Sequence, residues 1–318
     1  MVVRVDIHSH FVPRDLPPLA ERTGDRRWPV LDGAGAERAI VADGAIYRVV
    51  DPTYWSVPDR IDRIDRTGID VQVISPLPVL LPHWASGADA ALWCRAVNAA
   101  IAEAVASSAG RFVGFAILPL QEPELAADVW ADAKRLGLVG VELGTAVDSE
   151  RMLHEPFIDE LLAHLAHEQV PTLVHPTRPD ALGPVSASVS RGLALPTDTA
   201  MAVAPRVERD RVSADHPRSC LAHGGGTLIW EWSRIYASRA GMDATFPEWL
   251  YVDTAGCRIE HVRFLVEVLG EQAVMFGTDQ PAADDLAAAE LIESYDAGWA
   301  DAVDHANAEQ FLGIALGR

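Results

Sequence analysis

Short apolar runs alternate with longer amphipathic stretches along almost the whole chain. Val2–His8, Val71–Ser75, Phe112–Leu118, Gly140–Leu143, Pro171–His175, Cys220–His223, Leu250–Asp253 and Val274–Thr278 are aliphatic segments bounded by turn formers, which predicts eight strands. Between them, Asp59–Thr67, Ala88–Ser108, Glu122–Leu136, Glu155–Glu168 and Glu260–Leu269 have helical patterning. Asp284–Tyr295 and Trp299–Leu312 add two further helices. Repeated strand–helix units place strands in parallel with helices covering them, so the pattern predicts an α/β chain folded as a (β/α)8 TIM barrel. A single barrel domain accounts for residues 1–318.

Two segments interrupt the rhythm. Residues 11–56 are rich in Pro, Gly and Arg and hold short apolar pieces at Ala39–Val41 and Ile46–Val50, which predicts a small β-subdomain inserted after the first strand. Residues 176–218 form a long connection containing Pro176, Pro179, Pro184, Pro196, Pro205 and Pro217. Loops at the carboxyl ends of barrel strands build the active site, so both segments are expected to contact substrate.

Charge and composition narrow the partners. The formal net charge of −20 comes from 46 acidic against 26 basic residues, a surface that repels phosphate backbones and anionic lipid. Neither a nucleic-acid nor a membrane partner is expected, and the chain has no long apolar run of membrane-spanning length. The opening Met1-Val-Val-Arg-Val-Asp lacks the pattern of a signal peptide, and a cytoplasmic location is expected. Cys94, Cys220 and Cys257 are widely spaced, as suits a reducing compartment, and offer no thiolate zinc site. Lys134 is the only lysine and sits in the polar stretch Asp132-Ala-Lys-Arg. That position argues against a Schiff-base mechanism and against a carboxylated lysine bridging two metals.

Candidate chemistry gathers at the strand ends. In Asp6-Ile-His8-Ser-His10, strand alternation puts His8 and His10 on one face and turns Val3, Val5 and Ile7 toward the surrounding helices. Three more apolar runs end in Leu173-Val-His175-Pro, Leu221-Ala-His223-Gly-Gly-Gly and Phe276-Gly-Thr-Asp279-Gln-Pro. Each alone reads more readily as a capping or core polar residue. Together, in the order HxH, His, His, Asp, they point to a divalent metal centre at the mouth of the barrel. His154, His164, His167, His216, His261 and His305 lie in helical or polar stretches and read as solvated surface residues. His83, beside Trp84, suits either the cleft or a packing role.

These strand ends resemble the amidohydrolase superfamily, and within it the branch of 2-amino-3-carboxymuconate-6-semialdehyde decarboxylases. The likeness extends through Tyr47-Arg-Val-Val and Trp55, Arg60–Gly68 with Val71-Gln-Val-Ile-Ser-Pro, and Arg111-Phe-Val-Gly-Phe-Ala-Ile-Leu-Pro-Leu-Gln. It continues in Val139-Gly-Val-Glu-Leu-Gly-Thr, His223-Gly-Gly-Gly and Gly277-Thr-Asp279. The resemblance implies that His8, His10, His175 and Asp279 ligate the metal, Zn2+ with Mn2+ as the alternative. It implies catalytic roles for Asp279 and for His223, the latter as general acid/base rather than ligand. It assigns substrate carboxylates to Arg48 and Arg234, with Arg234 donated by a neighbouring subunit of a homodimer. The activity implied is nonoxidative decarboxylation of a small unsaturated or aromatic carboxylate; the alternative is a hydrolase or hydratase using the metal-activated water.

Departures from that pattern cluster around the pocket. Thr177-Arg178 follows His175-Pro176 where the branch has an aromatic, and Arg191 stands near the place of another. Gln280 and Ala282 replace aromatics after Asp279, and Arg239 is the candidate for a second arginine beyond Arg234. Glu142 takes the place of a neutral amide, either supporting the ligands or bridging to a second metal.

Overall fold

The computed structural model describes residues 3–183, 186–210, 216–236, 246–283, 291 and 298–316. Arg239 and most of the stretch 284–295 fall outside the described residues. The barrel strands are β1 (Val5–Phe11), β5 (Val71–Pro76), β6 (Phe112–Ile117), β7 (Gly140–Gly144), β8 (Thr172–His175), β9 (Ser219–Leu221), β10 (Leu250–Asp253) and β11 (Val274–Met275). They form one eight-stranded sheet in that order, and every neighbouring pair is parallel. Main-chain bonds between β1 and residues 276–280 close the ring: Ile7 N–H donates to Phe276, Asp279 N–H to His8 and His10 N–H to Gln280. This is a (β/α)8 barrel.

Two apolar layers hold it. The larger fills the space between the strands and the outer helices, which include Gly87–Ser107, Pro123–Arg135, Asp159–His167 and Ile259–Leu269. The smaller fills the barrel interior with Val5, Ile7, Val73, Phe115, Leu173, Cys220, Tyr251 and Met275. The C-terminal helix Asn307–Leu312 stoppers this layer, with the Phe311 ring 5.3 Å from Tyr251 and 6.4 Å from Phe115.

Val5 and Ile7 therefore point inward, not toward the helices as simple alternation predicts. The reason is a bulge in β1. Asp6 pairs with Gln72 but Ser9 with Ile74, so β1 uses three steps where β5 uses two. A bulge adds one residue and re-aims the side chains that follow. Ile7 below and His8 and His10 above can thus all face the interior, while Asp6 bonds Gln72.

After β1 the insertion forms a separate three-stranded antiparallel sheet: β2 (Val30–Asp32), β3 (Arg38–Ala42) and β4 (Ala45–Val50). It leads into helix Val57–Arg66, capped by Ser56, whose Arg60 is completely buried. The long connection after β8 is largely helical, with Ala187–Val189, Ser190–Ala194 and Leu195–Asp210. Pro196 and Pro205 both fall within this helical run. Asp198 from the first turn of Leu195–Asp210 accepts the amides of Thr177 and Arg178, both at 3.0 Å, and so ties the helix to the end of β8. No helix among the described residues is long and apolar enough to cross a membrane.

Candidate metal centre

The carboxyl ends of β1, β8 and β9 and the turn after β11 converge on one point. His8, His10, His175 and Asp279 each offer a donor atom, and these atoms all lie within 4.8 Å of one another. Three of the four are buried, and the Asp279 side chain is 23% exposed toward the cavity.

Each imidazole is anchored through Nδ1, which leaves Nε2 facing the common point. His8 Nδ1 lies 2.7 Å from Asp253 Oδ2, His10 Nδ1 3.1 Å from the Pro76 carbonyl and His175 Nδ1 2.9 Å from the Pro176 carbonyl. Such partners fix the tautomer and ring plane that a ligating histidine needs. His8 and His10 Nε2 are 3.2 Å apart, and His10 Nε2 is 3.0 Å from Asp279 Oδ1. His175 Nε2 is buried with no hydrogen-bond partner among the described residues. A buried nitrogen without a partner is costly unless an ion takes its lone pair. The donor set of three neutral imidazoles and one carboxylate suits a borderline divalent cation. The site is thus fitted for a divalent metal.

The charges of the donors agree. Burial and the neighbouring His10, His8 and His223 push the His175 imidazole well below its usual range, so it stays neutral. Burial would raise the Asp279 carboxyl, but hydrogen bonding and attraction from His10, with His223 and His8, hold it far below the usual carboxylate range. Burial lowers His8, yet Asp253 outweighs it and raises the imidazole to about 9. A divalent ion at Nε2 would replace that proton as the counter-charge.

His223 stands beside the four, its ring centroid 5.0 Å from His8 and 5.2 Å from His175. Its backbone N–H donates to Asp253 Oδ1 at 2.8 Å. Both His223 and Asp279 are left-handed, with φ of 58° and 60°. Such backbone is uncommon for residues with a Cβ and is held only where surrounding bonds enforce it. The turn after His223 needs glycine: at Gly226 φ is 59°, and a Cβ would lie 2.5 Å from the Pro196 carbonyl oxygen. Burial lowers the His223 pKa, so the ring rests neutral.

The metal centre opens into a cavity of about 530 Å³. Leu77, Ile229, Phe264 and Leu265 give it apolar walls, while Arg48, Arg191, His223 and Asp279 supply polar groups. Arg48 comes from β4 of the inserted sheet and donates to Tyr54 Oη at 3.3 Å and the Ala282 carbonyl at 3.2 Å. Arg234 does not line this cavity. Its side chain is 85% exposed and pairs with Glu231 at 3.1 Å. Glu142 is fully buried on β7 but falls outside the four-donor group; burial, opposed by His10, raises its carboxyl.

Some residues escaped the sequence pattern. Asp253 ends β10, completely buried, and its two oxygens tie His8, His223 and the Ala255 amide together. The signal was present, since Asp253 closes an apolar run just as Asp279 follows one. His261 lines the cavity rather than facing bulk solvent alone, because the first turn of helix Ile259–Leu269 borders it. His216 is not simply solvated either; it stacks on Trp249 at 4.3 Å. His83 is half-buried and does not line this cavity.

Residues 5–314 match the family model described as amidohydrolase. The chain is 27% identical over 308 residues to the 2-amino-3-carboxymuconate-6-semialdehyde decarboxylase of Dictyostelium discoideum, covering 92% of this chain and 86% of the relative. Two solved structures share the fold. A 5-carboxyvanillate decarboxylase from Novosphingobium aromaticivorans, complexed with manganese and 4-hydroxy-3-methoxy-5-nitrobenzoic acid, gives a TM-score of 0.74 at 19% identity, covering 98% of this chain and 96% of that one. A dihydroxybenzoic acid decarboxylase from a Polaromonas species, with manganese and 2-nitroresorcinol, gives 0.72 at 20% identity, covering 98% and 97%. With the family model spanning nearly its full length, the chain belongs to the amidohydrolase family.

Proposed function

We propose that this protein is a metal-dependent nonoxidative decarboxylase of a small aromatic carboxylate. The observation that carries the reading is the meeting, in one apolar cavity, of the four-donor centre, neutral His223 and the guanidinium of Arg48. Relatives named as decarboxylases support it. His8, His10, His175 and Asp279 hold the ion, with Zn2+ favoured by the imidazole-rich donor set and Mn2+ the alternative.

When bound, the ion supplies Lewis acidity toward substrate oxygens. The remaining work falls to the chain. Arg48 receives a carboxylate oxygen in its planar fork and orients the acid. The apolar walls hold the ring flat and keep bulk water from the reacting carbon. Loss of CO2 breaks the bond from that carbon to the carboxylate, leaves the electron pair on the ring and requires one proton to replace it. His223, held by its backbone to Asp253, is placed to take a proton from a substrate hydroxyl with its neutral ring and return it to that carbon. Asp253 positions His8 and His223 together.

Arg234 is assigned to the cavity of a second copy, in a homodimer. Its exposure, and the 70% exposed Trp230 four residues earlier at the cavity wall, support that placement. Headspace CO2 measured over a panel of hydroxybenzoates and benzene dicarboxylates tests the function. CO2 release matched by loss of the acid is expected. Hydrolysis of ester or lactone substrates without any CO2 release would overturn the reading.

A further inference from the structure

We propose that Arg191 is a specificity-determining residue that binds a second anionic group, so that the substrate carries one anion at Arg48 and the metal centre and another at Arg191. The inference rests on the decarboxylase reading and narrows its substrate class to doubly anionic aromatic acids.

Arg191 lines the same cavity as Arg48 and the metal donors. It lies on the turn Ser190–Ala194, whose two ends are buried while Arg191 itself is exposed at the cavity. Ser190 Oγ donates to the Pro179 carbonyl at 2.6 Å, Ala194 is fully buried, and the next residues, Leu195 and Pro196, line the cavity too.

The guanidinium is also unspent. Arg4 pairs with Asp304, Arg151 with Asp148, and Arg206 with Asp159, as expected where 46 acidic residues surround 26 basic ones. Arg48 donates to Tyr54 and Ala282. Arg191, by contrast, has neither an ion pair nor a hydrogen bond among the described residues. A cation left without a counter-charge on the wall of a cavity in a strongly acidic chain is a preformed anion subsite, and the arginine fork suits a carboxylate.

Two cationic positions on one cavity exceed what a single carboxylate needs.

Calorimetric titration of the metal-loaded full chain with two nitroaromatics tests this. One, 4-hydroxy-3-methoxy-5-nitrobenzoate, carries a ring carboxylate in addition to its nitrophenol group; the other, 2-nitroresorcinol, carries no carboxylate. Arg191→Gln is expected to weaken the carboxylate probe by about tenfold, the loss of one charge-assisted contact, and to change 2-nitroresorcinol by less than about twofold. Arg191→Lys should restore part of the loss. Equal weakening of both probes, or of neither, overturns the role of Arg191 and leaves the decarboxylase reading standing. Failure of the wild-type chain to bind either probe overturns the aromatic-acid reading, and this inference with it.

Discussion

Asp253→Asn isolates the support beneath the metal centre. Asp253 Oδ1 accepts the amides of His223 at 2.8 Å and Ala255 at 2.9 Å, while Oδ2 faces His8 Nδ1 at 2.7 Å. An asparagine can keep both amide bonds through its carbonyl oxygen. Its NH2 group would then face His8 Nδ1, which must carry a hydrogen if Nε2 is to hold a metal. Two donors would oppose each other in a site with no water-accessible surface, since both residues are completely buried. His8 must turn or change tautomer, and either spoils its lone pair. Loss of such a partner weakens metal binding by about 10–100-fold, equivalent to about 1.4–2.8 kcal/mol. The assay is competition between the protein and a chelator of known zinc affinity, with circular dichroism confirming that the fold persists. A variant that binds zinc within about twofold of wild type would refute the argument that Asp253 orients His8.

Other perturbations test other parts of the molecule. Arg60 donates to the His10 carbonyl at 2.5 Å, to Gln72 at 3.0 Å and to the Thr53 carbonyl at 2.6 Å. Arg60→Met strands these buried acceptors and should lower stability by about 3 kcal/mol or more, read as a fall in the urea midpoint. The pH profile of kcat/KM for the metal-loaded enzyme should keep its His223-dependent acid limb below pH 6.5. Burial disfavours the charged imidazolium, so the neutral ring survives to lower pH than an exposed one, and a limb at or above 6.5 contradicts that. Mixing inactive Arg48→Gln and Arg234→Gln subunits should restore roughly a quarter of wild-type activity, because each hybrid dimer contains one intact site. No recovery on mixing would remove Arg234 from the partner's cavity.

How much of this the sequence revealed depends on distance along the chain. The barrel was legible because its strands are near-continuous apolar runs and its helices have their own period, both local signals. The strand-end histidines were legible for the same reason: His175 and His223 stand where such a run meets a turn, and His8 and His10 alternate in the second half of β1. The inward turn of Val5 and Ile7 was not, because the bulge opposite β5 depends on pairing with residues 71–76, about 66 positions away. Asp253 escaped for a related reason. Its role is set by His8, 245 residues distant, and nothing near Leu250–Asp253 records that contact. The long connection reads as a proline-rich loop, yet its helical run carries Pro196 and Pro205 within it and is anchored by Asp198. The cavity's polar lining likewise needed the fold, since Arg48, Arg191 and His261 come from three separate connections.

The most direct test of the central claim joins metal to chemistry in one titration. Chelator-stripped protein is given back a divalent ion in known steps, and CO2 release from an accepted aromatic acid is measured at each step. The four-donor centre predicts no release without metal and a linear rise that ends at one ion per chain. Undiminished release from stripped protein, or an endpoint at two ions per chain, would contradict it.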